Sequence, residues 1–130
     1  MTTELTMLGW TLVLALAQIM LTAAMRTSET GLAYNMSARD EPAPPMRPVT
    51  ARLQRAQANL FETLPLFAAA VLVVHAAGRE SELTAWASIA YLGARVLYVP
   101  LYAFGVPMVR SLVWGVSVAA LITLLAAILR

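Results

Sequence analysis

The chain has 130 residues, 60% of them hydrophobic and 12% charged, and its mean hydropathy is +0.72. A water-soluble domain of this size cannot hide so much apolar surface in one core, so the solvent must be lipid. The absence of cysteine excludes disulfides and thiolate metal sites, and a net charge of +2, spread over nine scattered arginines, excludes a nucleic-acid partner.

A helix rises ~1.5 Å per residue and a ~30 Å hydrocarbon layer needs about 20 apolar residues. Four segments qualify, roughly Leu5–Met25, Arg52–Ala77, Leu83–Phe104 and Met108–Leu129. The first has Glu4 instead of a basic region before it and no convincing cleavage site after it, so it reads as a retained span. Between the first two spans lies a polar loop, residues 26–51, carrying Pro42, Pro44, Pro45 and Pro48. The remaining connections, around Gly78 and Pro107, are short and force antiparallel neighbours. The fold predicted is all-α: one four-helix transmembrane domain running up, down, up, down. Pro65 and Pro100 fall inside helices and are expected to kink them.

Arginine placement gives an orientation. The first loop and its flanks hold Arg26, Arg39, Arg47, Arg52 and Arg55, the third connection adds Arg110, and the other side has only Arg79 and Arg130. Positive residues stay inside, so the long loop is expected in the cytoplasm and both termini outside. Four spans make a thin bundle, for which a homo-oligomer is the expected remedy.

The second span carries Arg52, Arg55, Asn59 and Glu62 at i, i+3, i+7 and i+10, one stripe of a helix. The third repeats the device with Arg95, Tyr98 and Tyr102. Glu62 and Arg95 are each about ten residues, or ~15 Å, from the cytoplasmic ends. Charges there cost ~2.5 kcal/mol or more, so these two are expected to pair and to line a polar pocket between the second and third spans. A purely structural ion pair is the plainer reading. It does not explain why Arg55, Asn59, Tyr98, Tyr102 and Arg110 converge on the same half of the membrane. Arg52 also fits a headgroup-snorkelling role. His75, the only histidine, and Trp10 and Trp86 read as packing or interfacial residues; Trp114, one turn after Arg110, is placed to line the pocket. Arg39, Asp40 and Glu41 read as a solvated cluster, and Gln18 as an interhelical hydrogen bond.

The runs RAQANLFETLPLF, Arg55 to Phe67, and ARVLYVPLYAFGVPMVRSLVWG, Ala94 to Gly115, resemble the MAPEG superfamily of membrane-associated proteins in eicosanoid and glutathione metabolism. The tract GLAYNMSARDEPAPP resembles the first loop of its bacterial members. The resemblance implies a homotrimer in the inner membrane, with glutathione bound between subunits on the cytoplasmic side. It assigns Arg55, Asn59, Glu62, Arg95, Tyr98 and Tyr102 to glutathione, and Arg110 with Ser111 to the thiol. Arg26 matches loosely an arginine that reaches the neighbouring subunit's ligand. The sequence departs from prostaglandin E synthase at Ala58, Tyr98 and Trp114, where that enzyme has arginine, histidine and tyrosine. The implied activity is glutathione-dependent transfer to, or peroxidase action on, a lipophilic electrophile entering from the bilayer. Two other readings remain: a trimer that binds glutathione or lipid without catalysis, and a small proton-coupled exporter of lipophilic cations. Arg55, Arg95 and Arg110 disfavour a cation path.

Overall fold

The computed structural model describes residues 1–130. It contains five helices and no strand: α1 (Thr3–Thr30), α2 (Leu32–Met36), α3 (Pro48–Ala76), α4 (Glu82–Ala103) and α5 (Pro107–Leu129). Each long helix starts where the sequence supplies a start. Thr2 accepts from the Leu5 N–H to cap α1, and Ser81 and Thr84 form a reciprocal capping box on α4. Prolines sit in the first turns of α3 and α5, where a missing N–H costs nothing.

The first connection, read from the sequence as a polar loop over residues 26–51, is partly helical. α1 runs on to Thr30, because Thr27 to Thr30 are polar yet compatible with a helix, and stops at Gly31, whose φ of +83° suits glycine. The short α2 then folds back. Asn35 donates to Thr27 Oγ1 and accepts from Thr30 Oγ1, both at 2.7 Å. α3 begins at Pro48, four residues before Arg52. The helices continue through Pro65 and Pro100.

α4 and α5 pack together most extensively, α1 leans on α3 and α4, and the α1 and α5 backbones do not approach closely. α3 and α4 meet across the short diagonal. Leu8, Phe67, Val71, Tyr91, Leu121 and Leu124 form the main apolar core, in which the Phe67 and Tyr91 rings stack with centroids 4.0 Å apart. Only 27 of 130 residues are buried, while Leu12, Leu16, Met20, Leu66, Leu97, Leu112 and Ile122 are exposed. Such an outside is stable only against lipid or another protein.

Three helices, α1, α3 and α5, are long and apolar enough to cross a membrane. α4 has a comparable length of 22 residues but carries Arg95 and three tyrosines. The chain is an integral membrane protein.

The two ends of the bundle differ. The terminal end gathers the start of α1, the end of α3, the start of α4 and the end of α5. There Thr84 donates to the buried Glu4, Arg79 donates to the Ala127, Ile128 and Arg130 carbonyls, and His75 Nδ1 meets Glu80 Oε1 at 2.8 Å. The last contact, in the connection between α3 and α4, holds the Glu80 carboxyl below its ordinary range. The arginine-rich end holds the other helix ends and the candidate site.

Candidate functional site

At the arginine-rich end, Glu29 clips α1 to the start of α3. It accepts from the Thr50 hydroxyl, from the Arg47 N–H at 3.0 Å and from Arg26 Nη1 at 3.1 Å, and Arg47 Nε lies 3.5 Å away. This anchor fixes the start of α3 against the end of α1.

Beside it, α3, α4 and α5 converge. Arg95 on α4 is 2% exposed, and its Nη1 donates to Asn59 Oδ1 on α3 at 2.9 Å. Its guanidinium also lies 4.5 Å from the Tyr98 ring centroid, and its Nε has no partner. Arg110 on α5 donates to Tyr98 Oη at 3.4 Å and sits 4.7 Å from the Tyr102 ring centroid. Arg55 donates from Nε to Tyr102 Oη at 3.2 Å. Two cavities open here. One of about 210 Å³ is lined by Asn59, Tyr98, Arg110, Ser111 and Trp114. The other, of about 290 Å³, is lined by Arg52, Arg55, Tyr102, Gly105, Pro107 and Arg110. Arg110 belongs to both, and neither has a carboxylate.

The structure thus brings together Arg55, Asn59, Arg95, Tyr98, Tyr102, Arg110 and Ser111. Two predicted residues stand apart, and two predicted bonds are absent. Glu62 does not pair with Arg95: the ion pairs of the chain are Arg26–Glu29, Arg47–Glu29 and His75–Glu80. Glu62 is exposed, and Asn59, one turn nearer the arginine-rich end, takes Arg95 in its place. Equal depth measured along two helices does not fix which way each side chain points. Arg26 is committed to Glu29 and to the Pro44 carbonyl at 2.7 Å. It lines a different cavity, of about 260 Å³, with Thr22, Gln54 and Gln57 on the α1–α3 side. Gln18 is buried but forms no hydrogen bond to another helix, contrary to its sequence reading.

Arg52 is better placed than its sequence reading allowed. It lines the larger cavity and donates to the Ala103 carbonyl at 3.4 Å. Its guanidinium carbon lies 3.1 Å from where a Cβ on Gly105 would sit, and Gly105 has a φ of +69°. The positive φ is what calls for glycine there, since the tip of the flexible Arg52 side chain could shift to admit a Cβ. Sequence reasoning also missed the Glu29 anchor and the Thr63–Tyr91 hydrogen bond of 2.8 Å below Asn59.

The fold and site define a helical integral membrane protein whose arginines and tyrosines surround a partly enclosed, donor-rich recess. The sequence matches the profile of the MAPEG family over residues 7–130. The chain belongs to that family, and so to membrane proteins concerned with glutathione and eicosanoid metabolism. It matches no individual curated protein.

Proposed function

We propose that the protein is a glutathione-dependent transferase or peroxidase acting on a lipophilic electrophile, with Arg110 stabilising the glutathione thiolate. One observation carries the reading: Asn59, Tyr98 and Arg110 from three helices face one cavity that contains no carboxylate. Glutathione has two carboxylates and an ionisable thiol. Arg52 and Arg55 in the adjoining cavity suit the carboxylates, since guanidinium forks match them. A cation beside the thiol lowers its pKa and supplies the nucleophile at neutral pH. In transfer, the thiolate sulfur forms a bond to the electrophilic carbon and the leaving group departs with the electron pair, while the thiol proton passes to water. In peroxidase action, the thiolate takes the terminal oxygen of a hydroperoxide and releases an alcohol. A second glutathione then yields the disulfide and water.

In this reading α4 is a fourth crossing of a bacterial inner membrane, the arginine-rich end is cytoplasmic, and both termini are outside. The exposed apolar faces pack in a homotrimer. Glu62, exposed on the protomer, then meets the glutathione amine, and Arg26 serves a neighbouring subunit's ligand. Ser111 is the second thiol-side residue.

The test is a glutathione titration of the detergent-solubilised protein, whose mass is measured in parallel, with the thiolate followed by ultraviolet absorbance. The expected results are a trimer, saturable binding, and a thiolate signal. In Arg110→Ala, affinity changes little while the thiolate signal disappears and turnover falls by about 100-fold, the scale of one lost electrostatic stabiliser. Arg110→Lys restores part of both. No binding by the wild type, or unchanged thiolate absorbance in the alanine variant at saturating glutathione, rejects the assignment.

A further inference from the structure

The cavity that Arg110 shares with Asn59 has a polarity set by residues behind its wall. Asn59, Tyr98, Arg110 and Ser111 supply its hydrogen-bonding groups, and each is already partly engaged. A guanidinium can only donate, so the 2.9 Å bond from Arg95 commits the Asn59 carbonyl oxygen to Arg95. The Asn59 amide N–H groups are what remains for the cavity. By the same logic, Tyr98 Oη accepts from Arg110, which leaves the phenolic proton free to donate. The N–H groups of Arg110 not used on Tyr98 add further donors. Ser111 is the exception. Its hydroxyl donates to the Pro107 carbonyl at 3.2 Å, so its proton is already used and only its lone pairs are free.

Arg95 lines neither cavity, and at 2% exposure it has no free surface to offer a ligand. Its contacts are the Asn59 oxygen and the Tyr98 ring, two groups that do face the cavity. Were Arg95 replaced by a neutral side chain, nothing in the protomer would hold the Asn59 carbonyl away from the cavity. The amide could rotate and present an acceptor to the ligand.

We infer that Arg95 is a positioning residue: by holding the Asn59 carbonyl, it leaves the Ser111 oxygen as the one free acceptor among the donors of the cavity, a recess that selects an anionic sulfur or oxygen atom over its neutral, alkylated counterpart. The inference rests on the glutathione reading above and names which form of the ligand the site prefers. It revises the sequence expectation that Arg95 contacts glutathione. It also predicts how the site treats its own product, because an S-alkylated glutathione has lost the anion and is released.

Two probes differ in the relevant atom: glutathione sulfonate, which carries an anion in place of the thiol, and S-methylglutathione, which is neutral there. Their affinities are measured by calorimetry on the detergent-solubilised full chain. The wild type is expected to prefer the sulfonate. Arg95→Met should reduce that preference about tenfold, the scale of one hydrogen bond to a charged group, with S-methylglutathione affinity nearly unchanged. Arg95→Lys keeps a donor for the Asn59 oxygen and should keep most of the preference. Asn59→Asp leaves Arg95 paired, puts a carboxylate oxygen toward the cavity, and should weaken the sulfonate more than S-methylglutathione. That variant decides the matter if Arg95→Met does not fold. Equal loss of both probes in Arg95→Met makes Arg95 merely structural and overturns the inference, as does an unchanged preference in Asn59→Asp. Binding of neither probe by the wild type overturns the glutathione reading and the inference with it.

Discussion

The two halves of the bundle both bury polar groups but use them differently. Toward the terminal end, donors and acceptors close on each other: Thr84 on Glu4, Ser88 on the Thr84 carbonyl, Thr63 with Tyr91. Toward the arginine-rich end, Arg52, Arg55, Arg95 and Arg110 share oxygens of Asn59, Tyr98, Tyr102 and Ala103, with no carboxylate hydrogen-bonded to any of them. A network that exists for stability balances its partners, because an unpaired buried group costs ~1–3 kcal/mol. At the arginine-rich end only Arg95 of these four is buried, and the donors on the cavity walls are free for water or a ligand. In the proposed function, that contrast separates polar groups that hold helices together from polar groups that receive an anion.

The largest break in the comparison is expected at the terminal end. Thr84→Val keeps the volume of the side chain but removes the hydroxyl that serves both the buried Glu4 and the capping box of α4. Stability should fall by about 1–3 kcal/mol, seen as a lower thermal midpoint in detergent. Glutathione affinity should be unaffected. Weakened ligand binding at unchanged midpoint would mean that the closed network is part of the site.

A pair of tyrosines sharpens the same contrast, because each loses only an oxygen when changed to phenylalanine. Tyr91 is fully buried and bonded to Thr63, so Tyr91→Phe should cost ~1 kcal/mol of stability and leave ligand affinity alone. Tyr98 Oη makes one long bond to Arg110 at the cavity wall. Tyr98→Phe should therefore leave stability within about 0.5 kcal/mol and weaken glutathione roughly fivefold. If the two variants behave alike, the distinction between structural and ligand-facing hydroxyls fails.

Much of this was legible from residue types and spacing. Apolar runs gave the four long helices, and period-3.6 stripes placed Arg55, Asn59, Tyr98 and Tyr102 on facing surfaces, since a helix fixes angular position. The partners of Arg95 were not legible. A carboxylate and an amide one turn apart on α3 both lie on the right stripe, and only the crossing of α3 and α4 selects Asn59 over Glu62. The engaged proton of Ser111 goes to the Pro107 carbonyl four residues earlier in α5, the common i−4 bond of a helical serine, so helix geometry alone makes it legible. The Glu29 anchor joins residues about 20 positions apart across a proline-rich connection, where no periodic pattern operates.

The smallest expected effect, absent at neutral pH, concerns that anchor. α1 has 28 residues, or ~42 Å, which exceeds a ~30 Å hydrocarbon layer, so Glu29 lies beyond the apolar stretch that ends near Met25. The Thr50 hydroxyl foremost, then the Arg47 N–H and Arg26, lower its carboxyl to about 2 from an ordinary 4.5. A carboxylate whose value is lowered on folding contributes stability above its unfolded value and loses it as pH falls toward the folded one. The α1–α3 clip should thus hold down to about pH 4.5 and weaken progressively between there and about pH 2. Hydrogen exchange across residues 26–50 should rise in that window while the core around Phe67 and Tyr91 stays protected. Glu29→Gln cannot titrate, so it should remove the pH dependence from this segment and leave it looser at every pH. If exchange there rises equally in wild type and variant as the medium is acidified, another carboxylate governs the connection and Glu29 is not its anchor.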